Sequence, residues 1–331
     1  MPIWFWDAAE EAFTAAYYIS PAIVKPLALL SRVICILALF RQARKDGAYT
    51  YQMALVLTEI LLLIVSALYD ISIGASGLSG AERRANDYFI SSYTCMWYRA
   101  RLAAPLLNAF VTTTLLLAVS MSADRVYALA HPYDYRLINH NRHRAVAFTL
   151  SFFLGLSTSA FDTLRSKVDI IDTPIRRYAI THDHQFVNSP VLAGCSHIRD
   201  FIRVSSLALL IGLNVMLIYY YHIRMKRMKR MSLLSSSAGI KKKNDERNLI
   251  LLTVYQSLSS AIVMTFLTIF YVLFYSSARF RICGRFLATP VLDIICSSTY
   301  AANILIILMI HRPFRKMVRR SWLLGRRRSS V

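Results

Sequence analysis

Three ionisable side chains, Arg32, Glu59 and Asp293, stand inside long apolar runs, where each must find a partner. At the centre of a membrane helix such a charge costs about 2.5 to 3.5 kcal/mol on insertion scales, so pairing is the least these residues must achieve. For Asp293 two kinds of partner are open: a nearby Arg such as Arg281 or Arg285, or a basic group on a ligand. Asp124 and Arg125 form an adjacent acid and base at the end of the third apolar run, with His131-Pro132-Tyr133 shortly after. Catalytic patterns are weaker. His182-Asp183-His184 and the pair His140/His143 have ligand-like spacing, but they lie in loops without further matched ligands. They read as surface histidines, and no metal site is expected. Neither a phosphate-binding glycine loop nor a nucleophile elbow is present, so an enzyme is not expected.

Composition makes plain which elements must carry these residues. Of 331 residues, 56% are hydrophobic and 17% charged. A bilayer span takes about 20 mainly apolar residues. Seven runs qualify, near 21 to 41, 51 to 69, 102 to 125, 145 to 164, 201 to 225, 248 to 276 and 287 to 311. Backbone groups in hydrocarbon must be satisfied within their own segment, and the runs are far longer than a barrel strand, so helices are required. The expected fold is all-α, an integral membrane seven-transmembrane helix bundle over 21–311. An extracellular N-terminus at 1–20 precedes it and a cytoplasmic segment at 312–331 follows.

Orientation follows from the retention of basic short loops in the cytoplasm. Most of the 39 Lys and Arg fall in four places: Arg41 to Lys45, Arg136 to Arg144, Arg224 to Arg247 and Arg312 to Arg328. The N-terminus is thus expected outside and the tail inside. A net charge of +21 would point to nucleic acid in a soluble chain. Here the excess borders the spans and fits topology plus attraction to anionic lipid, so the expected contact is the lipid bilayer and no nucleic acid. Met1 to Tyr18 lacks a basic n-region and carries Asp7, Glu10 and Glu11, so the first span is expected to serve as its own insertion signal. The lack of an internal repeat weighs against transporters built from two related halves. From His311 to Leu324, Phe314, Val318 and Leu324 alternate with basic residues at helical spacing, which predicts a short amphipathic eighth helix on the inner membrane face.

Cys35 and Cys296 fall inside spans and are expected to pack as small apolar residues. Cys95, before the third span, and Cys195, before the fifth, face the oxidising side and form the expected disulfide. Cys283 in the last outer loop is the competing thiol.

Asp124-Arg125-Val126 at the inner end of the third of seven spans, with Pro132 seven residues after Arg125, resembles the rhodopsin-like (class A) G-protein-coupled receptors. The resemblance covers about 21 to 320. That family closes its third helix with Asp/Glu-Arg-Tyr, so Val126 is a departure. The resemblance implies that Asp124 neutralises Arg125 at rest, and that on activation Arg125 turns to meet the C-terminal helix of a heterotrimeric G protein. Asp124, Arg125 and Pro132 are the implied coupling residues. A plasma-membrane location is implied, and no cofactor.

Finer features are similar to invertebrate FMRFamide-type neuropeptide receptors and their chemoreceptor-like relatives in nematodes. They are Tyr98 and Pro105 early in the third span, Ala160-Phe161-Asp162 closing a fourth span without Trp, and Asn214 in the fifth. An amine receptor would want an Asp in mid third span, and none lies between Leu102 and Ala123. The implied ligand region draws on Asp293, Trp97, Tyr98, Phe161, Asp162 and Tyr271. The implied intramembrane polar switch is Arg32, Glu59 and Asn303. Arg32 stands where the family has Asn, and Glu59 where it has an Asp that helps bind sodium, so the guanidinium is expected to replace that ion as counter-charge. Other departures are a sixth span without proline, expected to be straighter, and Asn303-Ile304-Leu305-Ile306-Ile307 where the family has Asn-Pro-x-x-Tyr. The expected function is transduction of an extracellular ligand, most of all a short neuropeptide, to a G protein. A chemosensory receptor for a small environmental molecule is the alternative. A multi-span transporter or channel is the second, and it predicts substrate flux without G-protein dependence.

Overall fold

The computed structural model describes residues 20–43, 49–74, 93–138, 140–164, 166–171, 177–182, 189–231, 250–263, 265–266 and 294–302. Helix α1 covers Lys25–Ala43 and α2 Thr50–Gly74. Helix α3 runs Tyr93–Ala130 with a π turn at Tyr98–Ala103, and α4 runs His140–Ser159 before a 3-10 turn at Ala160–Leu164. Helix α5 covers Pro190–Met231, α6 Ile250–Val263 and α7 residues 294–302. Five segments are long and apolar enough to cross a membrane: Ala22–Phe40, Thr50–Tyr69, Tyr93–Ala130, Arg142–Leu164 and Pro190–Arg227. The chain is a helical, multi-pass membrane protein. The sixth and seventh expected spans are helical where described. Their remaining residues, the expected eighth helix and the first nineteen residues lie outside the described set.

Three expectations need correction. Helix α3 begins at Tyr93 rather than near 102, because its added turns stay polar and satisfied: Arg101 Nη1 donates to the Thr163 carbonyl at 2.5 Å. Helix α5 begins at Pro190 rather than 201. Proline suits a first helical position, where its missing N–H costs nothing, and the Ala193 N–H already bonds the Ser189 carbonyl at 3.1 Å. The fold is also not wholly α. Strands β1, Ser166–Ile171, and β2, Arg177–His182, pair antiparallel with Val168 opposite Ile180 and Ile170 opposite Tyr178. In β1 Val168 and Ile170 alternate with Lys167 and Asp169, the period of two that a strand requires.

Packing centres on α3, which buries Ala109, Phe110, Leu115, Leu117, Ala118 and Met121 among its neighbours. Lipid-side faces are apolar and exposed instead, as at Leu27, Leu30 and Leu37 of α1 and Phe201, Val215 and Ile218 of α5. In lipid the hydrophobic effect does not draw helices together, so close backbone approach at small residues matters more. Gly155 of α4 provides one: a Cβ there would sit 2.6 Å from the Ala109 carbonyl oxygen and against the Thr113 hydroxyl. Helix α6 occupies the middle. Its Leu252 packs with Cys35, Leu39 and Val56 of α1 and α2, while Ile250 packs with Val126 and Leu217 of α3 and α5. Beside these apolar residues it buries polar ones, Thr253, Gln256, Ser257, Ser259 and Ser260.

Candidate functional site

At the Asp124–Arg125 end of α3 the helix breaks at His131, whose φ of −126° and ψ of 67° leave the helical region. Pro132 then opens a short helix, Pro132–Leu137, and the Tyr135 N–H bonds the His131 carbonyl at 3.0 Å. That reversal returns Tyr135 to α3. Its hydroxyl donates to Asp124 Oδ2 at 3.1 Å and lies 3.3 Å from Oδ1. Burial raises the Tyr135 phenol above its usual value, which keeps it a donor. Arg144 of α4 donates through Nη2 to the same hydroxyl at 3.4 Å, and the His140 ring packs against the Tyr135 ring, tilted by 35° with centroids 4.0 Å apart. Asp124 Oδ2 is also 3.3 Å from Arg125 Nη2, and Arg125 is only 7% exposed. Asp124, Arg125 and Pro132 are therefore brought into one arrangement. Tyr135 and Arg144 were not among the sequence-derived candidates, although Tyr135 sits three positions beyond a helix-starting proline.

Midway through the bundle, Arg32 Nη2 lies 2.8 Å from Glu59 Oε2, with side chains 0% and 1% exposed. The guanidinium carbon is 5.0 Å from the Tyr300 ring centroid on α7. Ser31 Oγ donates to the Ala301 carbonyl at 3.3 Å, and Lys25 Nζ to Ser66 Oγ at 2.5 Å, so α1, α2 and α7 are joined by polar contacts. The guanidinium thus lies against the carboxylate at the position where, by the resemblance, the family binds sodium. Asn303, the third member of the expected switch, lies outside the described residues.

The other half of α3 carries a second polar cluster. At about 1.5 Å per residue, Asn108 is about 25 Å along the helix from Arg125. Asp162, in the 3-10 turn after α4, accepts from Asn108 Nδ2 at 2.8 Å and pairs with Arg199 Nη1 of α5. One turn along α5, Arg203 Nε donates to Thr112 Oγ1 at 3.0 Å, and its Nη2 donates to Asn108 O at 2.9 Å and Oδ1 at 3.0 Å. Among the described residues of the expected ligand region, Asp162 joins this cluster by polar bonds. Tyr98 donates to the Val65 carbonyl at 3.2 Å, and Trp97 and Phe161 are exposed. Asp293 and Tyr271 lie outside the described residues. Arg199, Arg203, Asn108 and Thr112 were missed. Part of the signal was present, since Arg203 stands at the edge of the run 201 to 225 as a charge that needs a partner, but the partners come from other segments.

The expected Cys95–Cys195 bridge is not formed: Cys195 is a free, partly buried thiol in the first turns of α5. Compared with protein-family models and with curated proteins, the chain matches none.

Proposed function

We propose that the chain is a rhodopsin-like receptor of seven spans in the plasma membrane, N-terminus outside, that transmits an extracellular ligand's arrival to a heterotrimeric G protein. One observation carries this function: Arg125 is buried at the end of α3 beside Asp124, and Asp124 is itself held by Tyr135. A guanidinium confined by an adjacent carboxylate, where α3, α5 and α6 pack through Val126, Leu217 and Ile250, is released by a small shift of those helices. Its release exposes a cation to the cytosolic side, which is what a coupling switch requires. The resemblance to peptide receptors supports a short neuropeptide as ligand.

The test is expression of the full chain with G-protein reporters during a peptide-library screen. At least one peptide should evoke nucleotide exchange. Substrate flux in cells lacking G proteins, with no exchange evoked by any peptide, would establish the transporter or channel instead.

A further inference from the structure

We infer that α6 carries a hinge at Gln256 to Ser260, where serine hydroxyls take the place of the proline that this span lacks. The inference deepens the proposed function by locating the helix shift that frees Arg125, and only that use of the hinge rests on the receptor function.

In an α-helix the Gln256 carbonyl accepts the N–H of Ser260. Here it also accepts two hydroxyls, Ser259 Oγ at 2.9 Å and Ser260 Oγ at 3.1 Å. A carbonyl oxygen has two lone pairs, so three donors compete for it and the backbone bond is weakened. When that bond lengthens, the hydroxyls keep the carbonyl satisfied, and the Ser260 N–H can reach the Ser257 carbonyl as in a 3-10 turn. Opening the turn therefore strands no buried group. Insertion of a side chain into the backbone ladder ranks with proline among the recurrent causes of helix kinks.

Burial sets the direction of the bend. Gln256, Ser259 and Ser260 are buried, whereas Leu251, Leu258 and Ile262 face outward. The weakened bond thus lies on the bundle side, and opening it tips the Ile250 half of α6 toward lipid. Asn214 Oδ1 of α5 accepts from Ser257 Oγ at 2.6 Å, which pins α6 to α5 at the same turn. The Ile250 half then moves about a fixed point, and Ile250 draws away from Val126 and Leu217 beside Arg125. Leu154 of α4 also accepts two hydroxyls, Ser157 Oγ at 3.2 Å and Thr158 Oγ1 at 2.7 Å. That turn has no freedom to bend, because Gly155 seats α4 against the Ala109 carbonyl of α3.

The test uses the full chain in lipid nanodiscs, without G protein, and reads pulsed electron-resonance distances between two nitroxide-bearing amino acids at exposed positions. One label, at Val146 of α4, is the anchor, and the other is at Leu251 or Ile262, on either side of the hinge. A bend of about 20° carries Leu251, about 7.5 Å along the helix from Gln256, through roughly 3 Å. The Val146 to Leu251 distance distribution should be broader than that of Val146 to Ile262 by a similar amount. Ser259→Ala with Ser260→Ala should remove the difference. Ser259→Ala with Ser260→Pro opens the same carbonyl through the proline ring and should bring the difference back. Should the proline variant not fold, the alanine pair decides alone. Equal widths in the native chain, a difference that survives both alanines, or a folded proline variant as narrow as the alanine one would overturn the hinge. Because coupling is not measured, these failures are distinct from failure of the receptor function.

Discussion

Arg32 of α1 and Glu59 of α2 form an ion pair of 2.8 Å that is closed to solvent on every side. Breaking one side of such a pair strands a buried charge, at a cost of about 3 to 5 kcal/mol. Arg32→Ala and Glu59→Ala should each sharply lower surface expression and the unfolding midpoint, while Arg32→Leu with Glu59→Leu should recover much of the loss. Strictly additive losses in the double variant would show that the two charges do not interact.

The same pair makes a prediction about ions. Since the guanidinium supplies the counter-charge, the unfolding midpoint should be the same in sodium and choline chloride. The variant Arg32→Asn with Glu59→Asp, which removes the built-in cation, should become more stable in sodium. A sodium response in the unaltered protein would contradict this arrangement.

Arg125→Ala should abolish G-protein activation while leaving surface delivery intact. Tyr135→Phe acts in the opposite sense. It removes a hydrogen bond to a carboxylate, worth about 1.5 to 3 kcal/mol for a charged group, and should raise basal nucleotide exchange several-fold in a reporter assay. Unchanged basal exchange would rule out Tyr135 as a restraint on Asp124.

A pH dependence separates Tyr135 from other phenols. Its folded-state pKa is raised, chiefly by burial. Its contribution to stability is therefore complete below the ordinary tyrosine value and is lost as pH rises through the raised one. Alkaline unfolding curves of the native protein and Tyr135→Phe should converge above that point. Parallel curves throughout would mean that the phenol does not titrate with unfolding.

Gly155 should tolerate no side chain. Its missing Cβ would fall 2.6 Å from the Ala109 carbonyl oxygen, and backbone cannot step aside as a flexible side chain can. Gly155→Ala should cost about 1 to 3 kcal/mol by overpacking, and Gly155→Leu more, measured as unfolding midpoint in nanodiscs. At Gly194 and Gly212 no atom lies within 4 Å of the added Cβ, so alanine there should be nearly neutral.

Helix existence was legible because length and apolarity alone decide it, and the five membrane-length helices all overlap runs visible in the chain. Helix ends were not. Pro190 opens α5 eleven residues before its apolar run, and Tyr93 opens α3 among polar residues, since helices continue past the hydrocarbon wherever caps and side chains satisfy the backbone. The Arg32–Glu59 contact was legible because two charges in adjacent apolar runs have few other options. The Arg199–Arg203 cluster was not, because it depends on Asn108 and Asp162 arriving from other helices. No spacing within one segment encodes that. The placement of α6 between α1 and α5 is likewise a property of packing, with Leu252 and Ile250 facing opposite sides of the bundle.

Helix α5 has a mechanical consequence. Leu217 packs level with Val126, beside Arg125, yet the helix continues to Met231, about 20 Å further at 1.5 Å per residue. Under the proposed orientation that extension carries Arg224, Lys226 and Arg227 into the cytosol, with Lys226 and Arg227 well past one Debye length, about 8 Å in physiological salt, from the level of Arg125. The rod thus works as a boom. A tilt of about 10° at Leu217 would swing its tip by roughly 4 Å over that length, so a shift too small to disturb the packed core becomes a displacement that another protein can read.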